Sequence, residues 1–158
     1  MLATGASPIE IPIEGDRSYV VSVNDLVDYR RFRSQLQGKK RIAILGDGLI
    51  GCEFANDLIE SGFEVSVIGL GQWPMERMIP QLLGESLQNA LSERGVQWLL
   101  QDSIAKIDPM SDSSAELHLT SGKKITADLV LSAVGLKPNV SLAEQAGLVI
   151  GRGIKVNQ

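Results

Sequence analysis

The stretch Ile42-Ala43-Ile44-Leu45-Gly46-Asp47-Gly48-Leu49-Ile50-Gly51 decides how this chain folds. Apolar residues lead into a Gly-x-Gly-x-x-Gly turn, an amphipathic segment runs on to Gly62, and a second apolar run follows at residues 64–68. This order predicts strand, glycine turn, helix and strand, which is the arrangement that binds a dinucleotide.

The glycines of this turn are expected to have different tasks. Gly46 permits the tight turn out of the strand, Gly48 lets a pyrophosphate approach the backbone, and Gly51 lets the helix pack close to the strand. The N–H groups at the start of the helix, at Leu49 and Ile50, would face the phosphates.

Two other residues of the turn are polar or reactive. Asp47 carries a charge that is unfavourable beside a pyrophosphate, so we expect only its backbone to take part. Cys52 is expected to be a small buried residue, because no base that could activate its thiol is visible in the sequence.

Composition excludes several function classes. The chain has 158 residues, enough for one main domain, and its formal charge of −4 gives no reason to expect nucleic acid or an anionic membrane as a partner. No apolar run approaches the roughly 20 residues of a spanning helix, and the N-terminus lacks the pattern of a signal peptide. The single cysteine excludes an internal disulfide and a Cys-x-x-Cys metal motif. A cytoplasmic location is therefore expected.

The remaining pattern predicts an α/β fold of the Rossmann type, a doubly wound parallel sheet with an antiparallel β-meander. Residues 2–8 are predicted to be the end of a strand and the turn after it, and prolines favour an extended linker over residues 9–14. Asn24 is a candidate N-cap, and Gly38 ends the first helix. Further helices are predicted at residues 49–60 and 81–94, parallel strands at 96–100 and 129–134, and the meander from 103 onward. Residues 108–114 are expected to form a turn, Ser141 to cap a short helix, and residues 154–156 to begin a strand. The apolar faces of the helices are predicted to contain Ile50, Phe54, Leu58 and Ile59, and Leu82, Leu83, Leu87 and Leu91.

Signatures in three places now agree. They are Gly46-x-Gly48-x-x-Gly51-x-Glu53, then Asp-Leu-Val-Leu-Ser-Ala-Val-Gly-Leu-Lys-Pro-Asn at residues 128–139, then Gly-Arg-Gly-Ile-Lys-Val at 151–156. Together they resemble the NAD(P)H-binding domain of FAD-dependent pyridine-nucleotide oxidoreductases, and residues 48–58 with 132–138 look most like rubredoxin reductases.

The resemblance implies a domain excised from a larger flavoprotein with two nucleotide-binding domains. Residues 1–37 would be the linker and helix from the crossing out of the FAD domain, and 38–158 the NAD(P)H-binding domain. The FAD pyrophosphate motif is absent, so this chain alone should hold no FAD and be inactive.

The mechanism implied by the family passes hydride from NADH to the flavin of FAD, and then single electrons to rubredoxin or a ferredoxin-like carrier. In that scheme this chain supplies binding and orientation, and none of its residues is catalytic. Glu53 would lie near the nicotinamide amide, or would simply be a first-turn acid complementing the helix dipole. Val134 and Gly135 would lie beside the nicotinamide half of the cofactor.

The sequence contains few residues that would distinguish NADH from NADPH. Gly69 occupies the position where the family has an acid that binds the ribose, and Arg77 is the one candidate for a 2′-phosphate. We expect NAD over NADP because no basic cluster is present, with poor discrimination between the two cofactors.

Other functions stay open at this point. The same domain could belong to a ferredoxin-, nitrite- or disulfide-reducing flavoprotein. A non-catalytic module that senses a dinucleotide is a different class of function, and Gly69 with Asp47 would then mark a decayed site.

Overall fold

The computed structural model describes residues 2–111 and 113–156, with the Ser111 side chain outside that description. The chain divides into a larger unit, Ile11–Val134, and a smaller one made of the residues up to Glu10 and those from Gly135 onward. The division predicted at residue 38 stays a prediction. In chain order the elements are β1 (Ala6–Pro8), β2 (Glu14–Gly15), β3 (Val20–Ser22), α1 (Leu26–Gln35), β4 (Arg41–Leu45), α2 (Leu49–Glu60), β5 (Glu64–Gly69), α3 (Gln81–Glu93), β6 (Gln97–Leu100), β7 (Ile104–Ser111), β8 (Ser114–Leu119), β9 (Lys124–Ala127), β10 (Leu129–Ser132), β11 (Leu136–Pro138) and α4 (Ser141–Gln145).

A five-stranded parallel sheet forms the centre of the larger unit, in the order β3-β10-β4-β5-β6. Strand β4 lies in the middle, and its residues alternate between two apolar cores. Ile42 and Ile44 pack with α1, α2 and α3, whereas Ala43 and Leu45 pack with the second sheet. Burial on both faces explains why this strand is a continuous apolar run.

The second sheet is the predicted meander. Strands β7, β8 and β9 pair antiparallel, and β2 adds to the edge of β7 in parallel. Alternate residues of β8, namely Ala115, Leu117 and Leu119, are buried, while His118 lies on the other face of the strand. The Rossmann-type α/β fold with its antiparallel sheet is thus confirmed.

Several local predictions were wrong. Residues 6–8, in the predicted strand end and turn, form the strand β1, and residues 14–15, where the predicted linker ends, form the short strand β2. Residues 108–111 continue β7 rather than turning. Pro109 is tolerated there because β7 breaks register between Pro109 and Ser111. Asp112, in the predicted turn, lies outside the described residues.

Helix caps and faces also differ from the prediction. Asp25, not Asn24, caps α1, because its carboxylate accepts from the N–H groups of Val27 and Asp28. Ser141 is the first residue of α4 and Val140 is its N-cap. The exposed fractions of Ile50, Leu82 and Leu83 are 50%, 75% and 55%, so these apolar residues do not face the core. The other predicted positions are confirmed: Leu58 and Leu91 are buried, and Phe54, Ile59 and Leu87 are partly buried against the same core. The remaining buried residues of α2 are the small residues Gly51, Cys52 and Ala55.

The smaller unit contains an antiparallel pair, β1 with β11. The side chain of Asn139 donates to the carbonyl of Thr4, and the Thr4 hydroxyl donates to the carbonyl of Asn139. The predicted strand at residues 154–156 is reduced to an isolated bridge between Ile150 and Ile154.

Candidate dinucleotide-binding site

The glycine turn leaves β4 at its carboxyl end. Gly46 has φ +124°, and a Cβ there would lie 2.5 Å from the carbonyl oxygen of Ala133. Its N–H donates to the carbonyl of Ile68 at 2.8 Å, which holds the turn against β5. Only glycine fits position 46. The backbone nitrogen of Val134 would lie 3.2 Å from a Cβ on Gly46, so the structure brings Val134 beside the turn.

Gly51 sets the distance between α2 and the turn. A Cβ on Gly51 would lie 2.0 Å from the Gly46 carbonyl oxygen and 3.5 Å from Cγ2 of Ile44. This is the close packing of helix and strand that the sequence predicts for the third glycine.

Gly48 faces open space. It is the N-cap of α2, and no atom of the described residues lies within 4 Å of the position that its Cβ would take. Among the described residues, no side chain caps the N-terminus of α2, and the first turn of α2 contains no acid. The first N–H groups of the helix are therefore available, and the opening at Gly48 fits a diphosphate that must touch the backbone.

Glu53 is exposed and lies beyond the first turn of α2. The interpretation of Glu53 as a first-turn acid that complements the helix dipole was therefore wrong. Its role near the nicotinamide stays a prediction.

Cys52 is buried, with 6% of its surface exposed, as the sequence predicts. Burial, followed by the negative charges of Asp47 and Glu53, raises the pKa of its thiol to about 11. The thiol is protonated at neutral pH and is not a nucleophile there.

The loop after β5 is held by two carboxylates. Oδ2 of Asp47 accepts from the N–H of Gly71 at 2.8 Å, and Oε2 of Glu76 accepts from the N–H of Gln72 at 2.9 Å. The Met75 N–H donates to the Asp47 carbonyl at 2.8 Å. The Asp47 side chain is thus part of the structure of the loop, which the sequence did not reveal.

Gly69 lies directly against Asp47. A Cβ on Gly69 would lie 2.3 Å from Cγ of Asp47 and 2.4 Å from its Cβ. An acid at position 69 therefore cannot be accommodated while Asp47 keeps this position.

Trp73 packs against Gly84 of helix α3. The position of a Cβ on Gly84 is 2.1 Å from Cδ1 of Trp73, and the indole N–H of Trp73 donates to the carbonyl of Ile79 at 3.3 Å. Arg77 is exposed, and it has no ion pair among the described residues.

Asp102 fixes the loop from the side of β6, and sequence reasoning missed it. Its own N–H donates to the Gly69 carbonyl at 2.9 Å, and its carboxylate accepts from the hydroxyls of Thr120 and Ser121. Burial raises the pKa of Asp102, but hydrogen bonds from Ser121, Thr120 and the Ser103 N–H outweigh burial and hold the pKa below its usual range. The sequence shows an unremarkable Asp-Ser pair, so no local signal could have found it.

Gly135 belongs to the smaller unit. Its φ is +105°, and its carbonyl accepts from the N–H of Ile9 at 3.0 Å. The proposed contact of Gly135 with the nicotinamide half stays a prediction.

A cleft of about 600 Å³ opens at the opposite edge of the parallel sheet. It is lined by the first residues of three strands, Arg41, Glu64 and Gln97, among others. Ligands of open α/β sheets bind at the carboxyl ends of the strands, so the glycine turn, and not this cleft, is the candidate site for a dinucleotide.

Residues 2–111 and 113–156 contain neither a metal-binding cluster nor a membrane-spanning helix. No group of three or more His, Cys, Asp or Glu side chains there could hold a metal ion. No helix in that part of the chain has the length and apolar character needed to cross a bilayer.

Comparisons with known proteins agree with this geometry. The sequence model of the family described as pyridine nucleotide-disulphide oxidoreductase matches residues 1–158, so the chain belongs to that family. It is 43% identical to the rubredoxin-NAD(+) reductase of Acinetobacter baylyi over 161 residues, covering 99% of this chain and 41% of that protein. It is 44% identical to the enzyme of the same name from Alcanivorax borkumensis, covering 98% of this chain and 41% of that protein.

A solved structure is also similar. The ferredoxin reductase for the CYP199A2 system of Rhodopseudomonas palustris gives a TM-score of 0.90 at 28% identity, covering 96% of this chain and 38% of that one. The chain therefore spans about 41% of the length of the curated relatives described above.

Proposed function

We propose that this chain is the NADH-binding domain of an FAD-dependent oxidoreductase of the rubredoxin-reductase type. The observation that carries the proposal is the open backbone at Gly48, between β4 and an uncapped α2. Its identity of 43–44% to rubredoxin-NAD(+) reductases supports the particular class of oxidoreductase.

Different residues of the larger unit would bind different parts of NADH. Gly48 would admit the diphosphate, and the N–H groups of Leu49, Ile50 and Gly51 would donate to its oxygens. Gly46 and Gly51 hold the turn in place by the close contacts described above. Val134 and Glu53 would contact the nicotinamide half.

The cofactors would carry out the hydride transfer. Reduced nicotinamide supplies a hydride, and FAD, bound mainly by a part of the parent protein outside these residues, receives it. Electrons would then pass to rubredoxin. This chain contributes affinity and orientation, so alone it is expected to be colourless and inactive.

A ferredoxin-like carrier is the second candidate acceptor, favoured by the similarity to the ferredoxin reductase of Rhodopseudomonas palustris. A dinucleotide-sensing module without catalysis is the alternative from another class. The flanking gene sequence discriminates between these functions, because FAD-binding motifs on both sides support an enzyme. A cytoplasmic location also stays a prediction, which cell fractionation would test.

The test is calorimetric titration of NADH into the 158-residue chain and into Gly48→Val. The Cβ of a valine at position 48 would meet no neighbour within 4 Å, and the side chain would fill the space of the diphosphate, so the variant should fold and lose binding. Gly153→Val is the matched control, because a Cβ there meets nothing closer than Cγ of Pro138 at 3.9 Å. If the folded parent gives no heat at millimolar NADH, or Gly48→Val binds as well as the parent, the proposal is wrong.

A further inference from the structure

We infer that Asp47 selects NADH over NADPH by placing its carboxylate where the side chain of residue 69 would otherwise lie. The inference rests on the proposed function and adds a specificity-determining residue to it. It replaces the expectation of poor discrimination between the two cofactors.

The first step is the position of the carboxylate. The Cβ of a residue at position 69 would fall 2.3 Å from Cγ and 2.4 Å from Oδ2 of Asp47. Gly69 ends β5, which is the strand beside β4 and its glycine turn. In dinucleotide-binding folds an acid about 20 residues beyond the glycine turn hydrogen-bonds the ribose 2′-hydroxyl. Asp47 places an acid directly against position 69 from within the turn itself.

The second step is the orientation of the carboxylate. The Gly71 N–H donates to Oδ2 of Asp47 at 2.8 Å, which fixes the side chain against the loop. Within residues 2–111 and 113–156, Oδ1 makes no hydrogen bond, so it is available to accept from a ribose hydroxyl. A charged acceptor held in one orientation loses little entropy on binding.

The third step is charge. Oε2 of Glu76 lies 3.2 Å from the position of a Cβ on Gly71, and Oδ2 of Asp47 lies 2.6 Å from the same position. Two carboxylates thus border the loop at Gly71. Both would repel a 2′-phosphate, which carries more negative charge than a hydroxyl. Arg77, the candidate for attracting that phosphate, is exposed on the same loop.

The experiment compares the dissociation constants of NADH and NADPH, measured by calorimetry on the 158-residue chain at fixed low ionic strength. The parent should bind NADH more tightly than NADPH by about tenfold or more. Asp47→Asn keeps an oxygen that can accept from Gly71 N–H and removes the charge, so the ratio should fall by about tenfold. Asp57→Asn is the matched control: it removes an exposed charge from α2, about 12 Å along the helix axis from the glycine turn, and should leave the ratio unchanged.

A relocated acid gives a second, independent variant. Asp47→Gly combined with Gly69→Asp clears the space at position 69 and puts the carboxylate on β5. This double variant should keep the preference for NADH, and it decides the matter if Asp47→Asn does not fold. A preference lost in the double variant would overturn the inference.

The outcomes separate this inference from the proposed function. If the folded parent binds no NADH, the proposed function fails and the inference with it. If the parent binds NADH through Gly48 but Asp47→Asn leaves the cofactor ratio unchanged, only the inference is overturned. A parent that prefers NADPH would also overturn it.

Discussion

Gly51→Ala tests the packing that positions the glycine turn. The new Cβ would lie 2.0 Å from the Gly46 carbonyl oxygen, about 1.4 Å short of an ordinary 3.4 Å contact. This oxygen cannot easily move, because the Gly46 N–H donates a hydrogen bond to the Ile68 carbonyl and Gly46 packs closely against the backbone of Ala133. The helix must shift instead.

The expected cost follows from two opposing effects. Overpacking of this kind costs about 1–3 kcal/mol, and alanine in place of glycine in a helix returns up to about 1 kcal/mol. We therefore expect a net loss of about 1–2 kcal/mol in the free energy of unfolding. At this chain length each kcal/mol lowers the melting temperature by about 2–4 °C.

The assay is urea unfolding followed by circular dichroism, with Gly48→Ala as the control. Alanine at position 48 meets no atom within 4 Å, so its cost is limited to the weaker N-cap, below about 1 kcal/mol. Gly51→Ala should unfold at a clearly lower urea concentration than Gly48→Ala. If Gly51→Ala is as stable as that control or more stable, the packing argument is wrong.

Further predictions concern ionisable groups. Burial raises the pKa values of Asp102 and Asp128, but hydrogen bonds outweigh burial and hold both pKa values below their usual range in the folded chain. Both carboxylates therefore stabilise the fold above about pH 4, and this stabilisation is lost as pH falls through their lowered folded pKa values. Asp102→Asn should therefore show a smaller loss of stability than the parent between pH 6 and pH 3 in urea titrations, and an equal loss would contradict this account. Asp128→Ala should lower the free energy of unfolding by about 2–4 kcal/mol, because it removes the acceptor of the Lys40 and Arg41 N–H groups and leaves the Arg41 guanidinium unpaired. A loss below about 1 kcal/mol in the same urea titrations would refute this prediction. The Cys52 thiol, with its pKa of about 11, should react with a disulfide reagent at pH 8 only when urea unfolds the chain, and rapid reaction of the native chain would show that it is accessible.

The elements with strong periodicity were predictable from the sequence. Helix α2, Leu49–Glu60, has the bounds that the glycine turn and the Ser-Gly stop at residues 61–62 predict, and β10 was visible as an unbroken apolar run. Both follow from local sequence, since a turn and a buried strand each have a characteristic composition.

Predictions failed where tertiary contacts decide the structure. Helix α3 buries Gly84 against Trp73 and exposes Leu82 and Leu83, a choice of face that its leucine pattern did not reveal. Strands β1 and β2 exist because partners distant in sequence, β11 and β7, pair with them. Propensity alone is a weak guide for such short edge segments.

In the candidate site, too, features set by local sequence were predictable and those set by tertiary contacts were not. The glycines were evident from spacing, whereas the link between Asp47 and Gly71 joins residues 24 apart and leaves no local pattern. The sequence therefore predicted that position 69 lacks the ribose acid, and it gave no sign that the Asp47 carboxylate lies against Gly69.

The most direct test of the central claim is a titration of the ¹⁵N-labelled chain with NADH, followed by amide chemical shifts. We predict that the largest shifts occur at the N–H groups of residues 48–51, where α2 begins, and that Gly48→Val abolishes them. Shifts concentrated at Arg41, Glu64 and Gln97, on the cleft at the other edge of the sheet, or no shifts at millimolar NADH, would contradict the account.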